Sequence, residues 1–97
     1  MYLNEGSRDE YESRHNPIWE DLHQVLKSHS VHNYSIFLNE KTSELFGYAE
    51  IESELQWAAI ADTEPCKRWW AHMKDLMATN EDNSPVSTEL EEVFHID

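Results

Sequence analysis

Tyr11 and His15 stand four positions apart in YESRHNPIW (residues 11–19), directly ahead of an Asn16-Pro17 break. On a helix that spacing turns one side chain about 40° from the other, so both can approach one ligand from the same face. Imidazole, with an unperturbed pKa of about 6.5, gives or takes a proton near neutral pH, and the C-terminal end of a helix favours its protonated form. The same spacing also suits an ordinary amphipathic contact, so it nominates a site and no more. The neighbouring indoles of Trp69 and Trp70 point about 100° apart, so that one can fill the core while the other lines a cavity. A flat indole offers dispersion contact to the C–H groups of a sugar, and its N–H can donate a hydrogen bond. Tyr34 and Tyr48 are further candidates for such a lining, although Tyr48 fits a purely structural cross-strand pair as well.

Other chemistries have less to build on. Six histidines are present, but no H-E-x-x-H, C-x-x-C or carboxylate cluster with ligand spacing, so no metal site is expected. His29 and His32, three apart, read as solvated residues at a helix end. Gly6 and Gly47 are the only glycines, too few for a phosphate-cradling loop, and no nucleotide or other cofactor is expected. Cys66 is the only cysteine; it forms no disulfide framework and has no motif of a nucleophile around it.

These residues need elements to hold them. Residues 1–3 read as the end of a strand, and Ser7 with Glu10 has the capping-box form that opens a helix carrying Tyr11 and His15. Asn16 and Pro17 suit the N-cap and first turn of a second helix, in which Ile18, Leu22, Val25 and Leu26 recur at helical spacing. Residues 32–38 alternate, with Tyr34, Ile36 and Leu38 on one face; residues 39–42 read as a hairpin turn and 45–51 as its second strand. Ser53 caps a short helix to Ile60, Thr63 caps a longer one holding Cys66, Trp69 and Trp70, and the polar run 79–85 ends it. Residues 86–96, where Leu90, Phe94 and Ile96 alternate with Glu91, Val93 and His95, read as a closing strand. The result is α+β with the ferredoxin-like order βαββαβ, in which helices cover one face of an antiparallel sheet. Two bare faces packed together would form a dimeric barrel with a pocket in each subunit.

At 97 residues the chain makes a single domain (1–97) with a modest core. Four Trp, four Tyr and three Phe supply more apolar surface than so small a core needs, which argues for a homodimer. Twenty acidic against seven basic residues leave a net charge of -13, unfavourable for nucleic acid and for anionic membrane surfaces. A small neutral ligand is the easier partner. The lone cysteine, with no signal peptide and no apolar run beyond the short one at 57–61, fits the cytoplasm.

Taken together, RHNPIW (14–19), LKSHSVHNYSIFL (26–38), CKRWW (66–70) and NEDNSPVSTELEEVF (80–94) closely resemble the L-rhamnose mutarotase family, in the same order and with similar separations along almost the whole chain. The resemblance implies a dimeric αβ-barrel and the cofactor-free interconversion of the α and β anomers of L-rhamnose. It also implies that His15 is the proton-donating histidine and that Tyr11, Tyr34, Trp69 and Trp70 bind the sugar. The chain departs from the family at its amino end, where several apolar residues usually precede the position of Met1; the first strand is expected to be short. Two rival readings accompany this one: a cofactor-independent or haem-degrading monooxygenase of the same barrel type, and a non-catalytic sugar-binding module.

Overall fold

The computed structural model describes residues 1–97. Its helices are α1 (Arg8–His15), α2 (Glu20–Ser28), α3 (Glu54–Ile60) and α4 (Glu64–Met73), and its strands are β1 (Val31–Asn39) and β2 (Glu44–Ile51). The strands form the expected antiparallel hairpin, with Leu38 opposite Leu45 and Phe37 opposite Phe46. The Asn39 carbonyl accepts from Ser43 N at 2.8 Å and its side chain from Lys41 N at 3.0 Å, which closes the turn. Side chains alternate across a pleated strand. Leu45 accordingly packs in the core, with Ile36 and Leu38 against it, while Phe37, Phe46 and Tyr48 stay 60%, 40% and 54% exposed on the opposite face.

Residues 1–3 pair on both sides. Leu45 N donates to the Met1 carbonyl at 2.8 Å and Leu3 N to that of Ser43 at 2.9 Å; on the other flank Asn4 N donates to Leu76 O at 2.7 Å and Ala78 N to Tyr2 O at 3.0 Å. The bridges Tyr2–Glu44 and Leu3–Met77 are antiparallel. Residues 76–78, residues 1–3, β2 and β1 thus lie side by side in the order of a ferredoxin-like sheet, with residues 76–78 and 1–3 reduced to bridges. The fold is α+β, as the sequence indicates, but the closing strand is not at residues 86–96. Leu76 and Met77 are buried and bond to the first strand, whereas Leu90, Val93, Phe94 and Ile96 are 73–89% exposed. Alternation in 86–96 is real, but one chain offers it no neighbouring strand.

The helix starts also differ from expectation. Ser7 precedes α1 without a side-chain cap bond. Asn16-Pro17, a cis peptide, does not open α2, which starts at Glu20 with Trp19 at its N-cap. Asn16 instead ends α1, its amide donating to the Glu12 carbonyl at 2.8 Å. Ser53 does cap α3, accepting from Gln56 N at 3.2 Å. Thr63 occupies the N-cap of α4 but turns its hydroxyl back to the Ile60 carbonyl at 2.7 Å. Such short hydroxyl side chains bond nearby backbone groups on either side of a helix boundary.

The core is small: eleven of 97 residues are buried, none of them polar or charged. Broad packing joins α2 to α4 and α2 to β1, and α1 takes part in neither. Arg68 of α4 reaches Asp21 of α2 and lies 5.7 Å over the Trp19 ring. No helix is long and apolar enough to cross a membrane.

Candidate active site

Between the helices and the covered face of the sheet lies a cavity of about 1710 Å³ whose lining includes Tyr11, His15, Tyr34, Trp69 and Trp70. Five of the six residues nominated from the sequence therefore line one cavity. Tyr48 does not. The hairpin register pairs it with Ser35, on the outer face, where its hydroxyl donates to Glu50 Oε2 at 2.9 Å.

Tyr34 reaches the cavity by ordinary alternation with Ile36 and Leu38, which pack on the core; Val31 shares that face only because β1 is irregular. Val31 and Tyr34 are three apart, so strict alternation would send them to opposite faces. Between His32 and Ser35 the register shifts, placing two residues of β1 against one of β2, and Asn33 takes a left-handed backbone at φ 48°. This is a β-bulge, and it turns Val31 to the same face as Tyr34. The Asn33 amide secures it by donating to Glu50 Oε1 at 3.0 Å. Tyr34 is 43% accessible, yet desolvation raises its pKa; its accessible surface belongs to the cavity, enclosed by neighbours that include Trp57, 5.9 Å away ring to ring.

His15 ends α1 and is half-buried. Its ring lies 4.4 Å from that of Tyr11 and meets Trp69 edge-on at 5.0 Å, with 85° between planes. Nδ1 is 2.7 Å from the Tyr11 carbonyl oxygen. A carbonyl only accepts, so Nδ1 carries the proton and Nε2 is left with the free lone pair. Burial pushes the imidazole pKa below its ordinary value, and the bond to the Tyr11 carbonyl offsets this only in part. The helix-end dipole was expected to favour imidazolium; desolvation outweighs it, and the resting ring is a neutral base at pH 7.

Burial, together with the nearby Tyr34, pushes the Tyr11 phenol well above the ordinary tyrosine range. Both phenols therefore keep their protons and act as hydrogen-bond donors. No buried side-chain nitrogen or oxygen lacks a partner, and the Tyr11 hydroxyl, which bonds nothing in the chain, opens on the cavity. Trp69 is 8% exposed and fills the core while touching His15; Trp70 is half-buried. The two indoles thus divide their work between core and lining, as their angular separation requires. Burial pushes the Cys66 thiol up to about 11, which makes it a poor nucleophile.

No group of three or more His, Cys, Asp or Glu is close enough to hold a metal ion. His29 turns Nδ1 to the Val25 carbonyl at 2.7 Å, and His32 faces Glu52 at 3.5 Å, so this pair does not converge. Sequence reasoning missed three contributors: Trp57, which borders Tyr34; Asn33, whose left-handed backbone forms the bulge beside it; and Arg14, which ties α1 to α4. An asparagine inside an alternating run was the one local signal of the bulge.

Residues 1–96 match the profile of a family described as L-rhamnose mutarotase. An L-rhamnose mutarotase of Opitutus terrae is 62% identical over 97 residues, covering 100% of this chain and 93% of the relative. Another from Tolumonas auensis is 61% identical over 96 residues, 99% and 92% of the two chains. Among solved structures, the crystal structure of an L-rhamnose mutarotase from Formosa agariphila superimposes with a TM-score of 0.91 at 43% identity, covering 100% of this chain and 93% of that one.

Proposed function

The chain belongs to the L-rhamnose mutarotase family, and we propose that it interconverts the α and β anomers of L-rhamnopyranose with His15 Nε2 as the atom that carries the proton. It is a sugar isomerase, and its relatives lend no support to the monooxygenase or non-catalytic readings. The observation that carries the site assignment is the 2.7 Å contact from His15 Nδ1 to the Tyr11 carbonyl, which leaves Nε2 as the free base beside the cavity.

Mutarotation opens and recloses the ring. Nε2 takes the proton of the anomeric hydroxyl; the C1–O1 bond becomes a carbonyl as C1–O5 breaks, and O5 takes a proton from a water or hydroxyl held beside it. The aldehyde turns about C1–C2. On reclosure O5 attacks the other face of C1 and releases its proton, and the imidazolium returns a proton to O1. Atoms and charges balance, and no redox partner is needed. In the second half His15 is the acid, which reconciles its resting neutrality with a proton-donating role. Positioned acid-base groups of this kind contribute ~100 to 10,000-fold in rate. Tyr11 and Tyr34 donate to sugar hydroxyls, while Trp69 and Trp70 hold the ring and its methyl group by dispersion.

The same reading makes the chain one functional domain that works as a cytoplasmic homodimer, with no nucleic acid or membrane partner. The exposed Phe37, Phe46 and Tyr48 face supports the dimer, the net charge of -13 disfavours polyanions, and the single cysteine suits a reducing compartment. Saturation-transfer NMR on the two anomeric protons of L-rhamnose, with purified protein, tests the activity. Faster exchange than in buffer is expected, and faster than for L-fucose or D-galactose; an unchanged rate would refute the proposal.

A further inference from the structure

Helix α1 carries the proton-transfer residue but has almost no apolar means of holding its place. Its sequence is RDEYESRH, only Tyr11 is buried, and it makes no broad contact with another element. Amphipathic burial, which fixes most helices, cannot locate His15 to the tolerance that proton transfer demands. Something polar must.

Two arginines of α1 reach other parts of the chain. Arg8 meets Glu40 at 3.2 Å, but their side chains are 52% and 72% exposed, a pairing that contributes little. Arg14 is different: its side chain is only 17% exposed. Nη1 donates to the His72 carbonyl at 2.6 Å and to Asp75 Oδ1 at 2.9 Å, and Nη2 donates to Asp75 Oδ2 at 3.3 Å. Nε donates to Glu10 on its own helix at 2.9 Å, which braces the side chain. The His72 carbonyl is among the last four of α4, which have no partner within the helix, and a cation is favoured at that end. The planar guanidinium therefore engages a backbone group and a carboxylate together, a fork that lysine lacks.

This anchor spans the same seam as the site. His15, next in sequence, meets Trp69, which lies three residues before His72 on one face of α4. We propose that Arg14 is a positioning residue: by clamping the end of α1 to the end of α4 it sets the approach of His15 to Trp69 and hence to the sugar. The inference rests on the assignment of His15 given above.

Arg14→Ala, Arg14→Lys, Asp75→Asn and Glu10→Gln test it, with kcat and KM for L-rhamnose anomer exchange and the imidazole C–H resonances of His15, which the Trp69 ring shifts in the wild type. A displacement on the order of 1 Å can cost about 100-fold in rate. Arg14→Ala is expected to lower kcat by roughly 10 to 100-fold while KM changes less, and to move the His15 resonances toward those of an exposed histidine. Lysine restores part of both, Asp75→Asn lies between, and Glu10→Gln, whose amide oxygen still accepts from Arg14 Nε and leaves the brace and the seam intact, matches the wild type. A folded Arg14→Ala protein with unchanged kcat and unchanged resonances overturns the proposal, as does a loss confined to KM. Should Arg14→Ala fail to fold, Asp75→Asn decides on the same criteria. If the wild type does not accelerate anomer exchange, the function falls, and the resonances alone still settle whether Arg14 places His15.

Discussion

Replacing His15 separates what the imidazole does for the fold from what it does for the reaction. In His15→Ala the ring loses its contacts to Tyr11 at 4.4 Å and Trp69 at 5.0 Å, each aromatic pair being worth about 0.5 to 1.5 kcal/mol. The Nδ1 bond to the Tyr11 carbonyl adds about 1 kcal/mol. The loss is then roughly 2 to 4 kcal/mol, a large part of the ~5 to 15 kcal/mol that small domains have. His15→Asn is the cleaner variant, because its amide N–H lies near the place of Nδ1 and keeps the carbonyl bond while offering no titratable nitrogen. For that protein anomer exchange is expected to fall ~100 to 10,000-fold, or about 3 to 5 kcal/mol of transition-state stabilisation. Saturation transfer between the anomeric protons, read beside far-UV circular dichroism at a temperature where the variant is folded, gives both quantities. A folded His15→Asn protein exchanging at the wild-type rate would remove imidazole from the mechanism.

Further outcomes follow from the same geometry. Because burial lowers the His15 pKa, the reactive neutral base persists below pH 6.5; kcat/KM for L-rhamnose is expected to be flat at neutral pH and to fall only on further acidification. The sign for stability is the same: the unfolded chain binds the proton at higher pH than the folded one, so this contribution is present above about pH 6.5 and is lost as pH falls through the folded pKa. Thermal melts of wild type and His15→Asn across that range should differ in slope, and equal slopes would contradict the assignment. Asn33→Val places a β-branched residue at φ 48° and removes the bond to Glu50, which should cost about 2 kcal/mol in chemical denaturation, whereas Asn33→Gly should cost less; equal costs would mean the bulge is not held by its backbone. Phe46→Asp on the open sheet face should turn a sedimenting dimer into a monomer, and a monomeric wild type would refute that interface.

Much of this fold is legible in local sequence. Alternation in β1 and β2 and the Ser53 cap each correspond to a short-range physical cause, and the structure contains them. What was not legible depends on distant partners. Leu76 and Met77 form a strand edge only because residues 2–4 bond to them, and no periodicity in a two-residue bridge announces that. Residues 86–96 have the pattern without a neighbour, so the pattern points to the wrong place. Asn16 satisfies the end of one helix rather than the start of the next, a choice between two nearby backbone groups that propensity does not make. Val31 is a sharper case, since its burial on the face of Tyr34, three positions on, depends on a register shift that is settled across the hairpin and not along the strand.

The five residues that line the cavity could be picked out by type, but the protonation state of His15 could not. Position along the chain places His15 at a helix end, where the dipole favours a charge; its surroundings in space are the Tyr11 ring, the Trp69 edge and a backbone carbonyl. A dipole acting at an exposed terminus contributes typically 0.3 to 1 kcal/mol, and removing a charge from water costs more than that. The aromatic enclosure therefore has two effects with a single cause. It lines the cavity with apolar surface, and it keeps the imidazole neutral, the form that the proposed ring opening needs. A site built to hold a charged histidine would need a carboxylate beside it, and that carboxylate would have to be desolvated each time a sugar entered. Here the only group bonded to the imidazole is a backbone carbonyl, which orients the ring and leaves Nε2 free without adding a charge to the cavity.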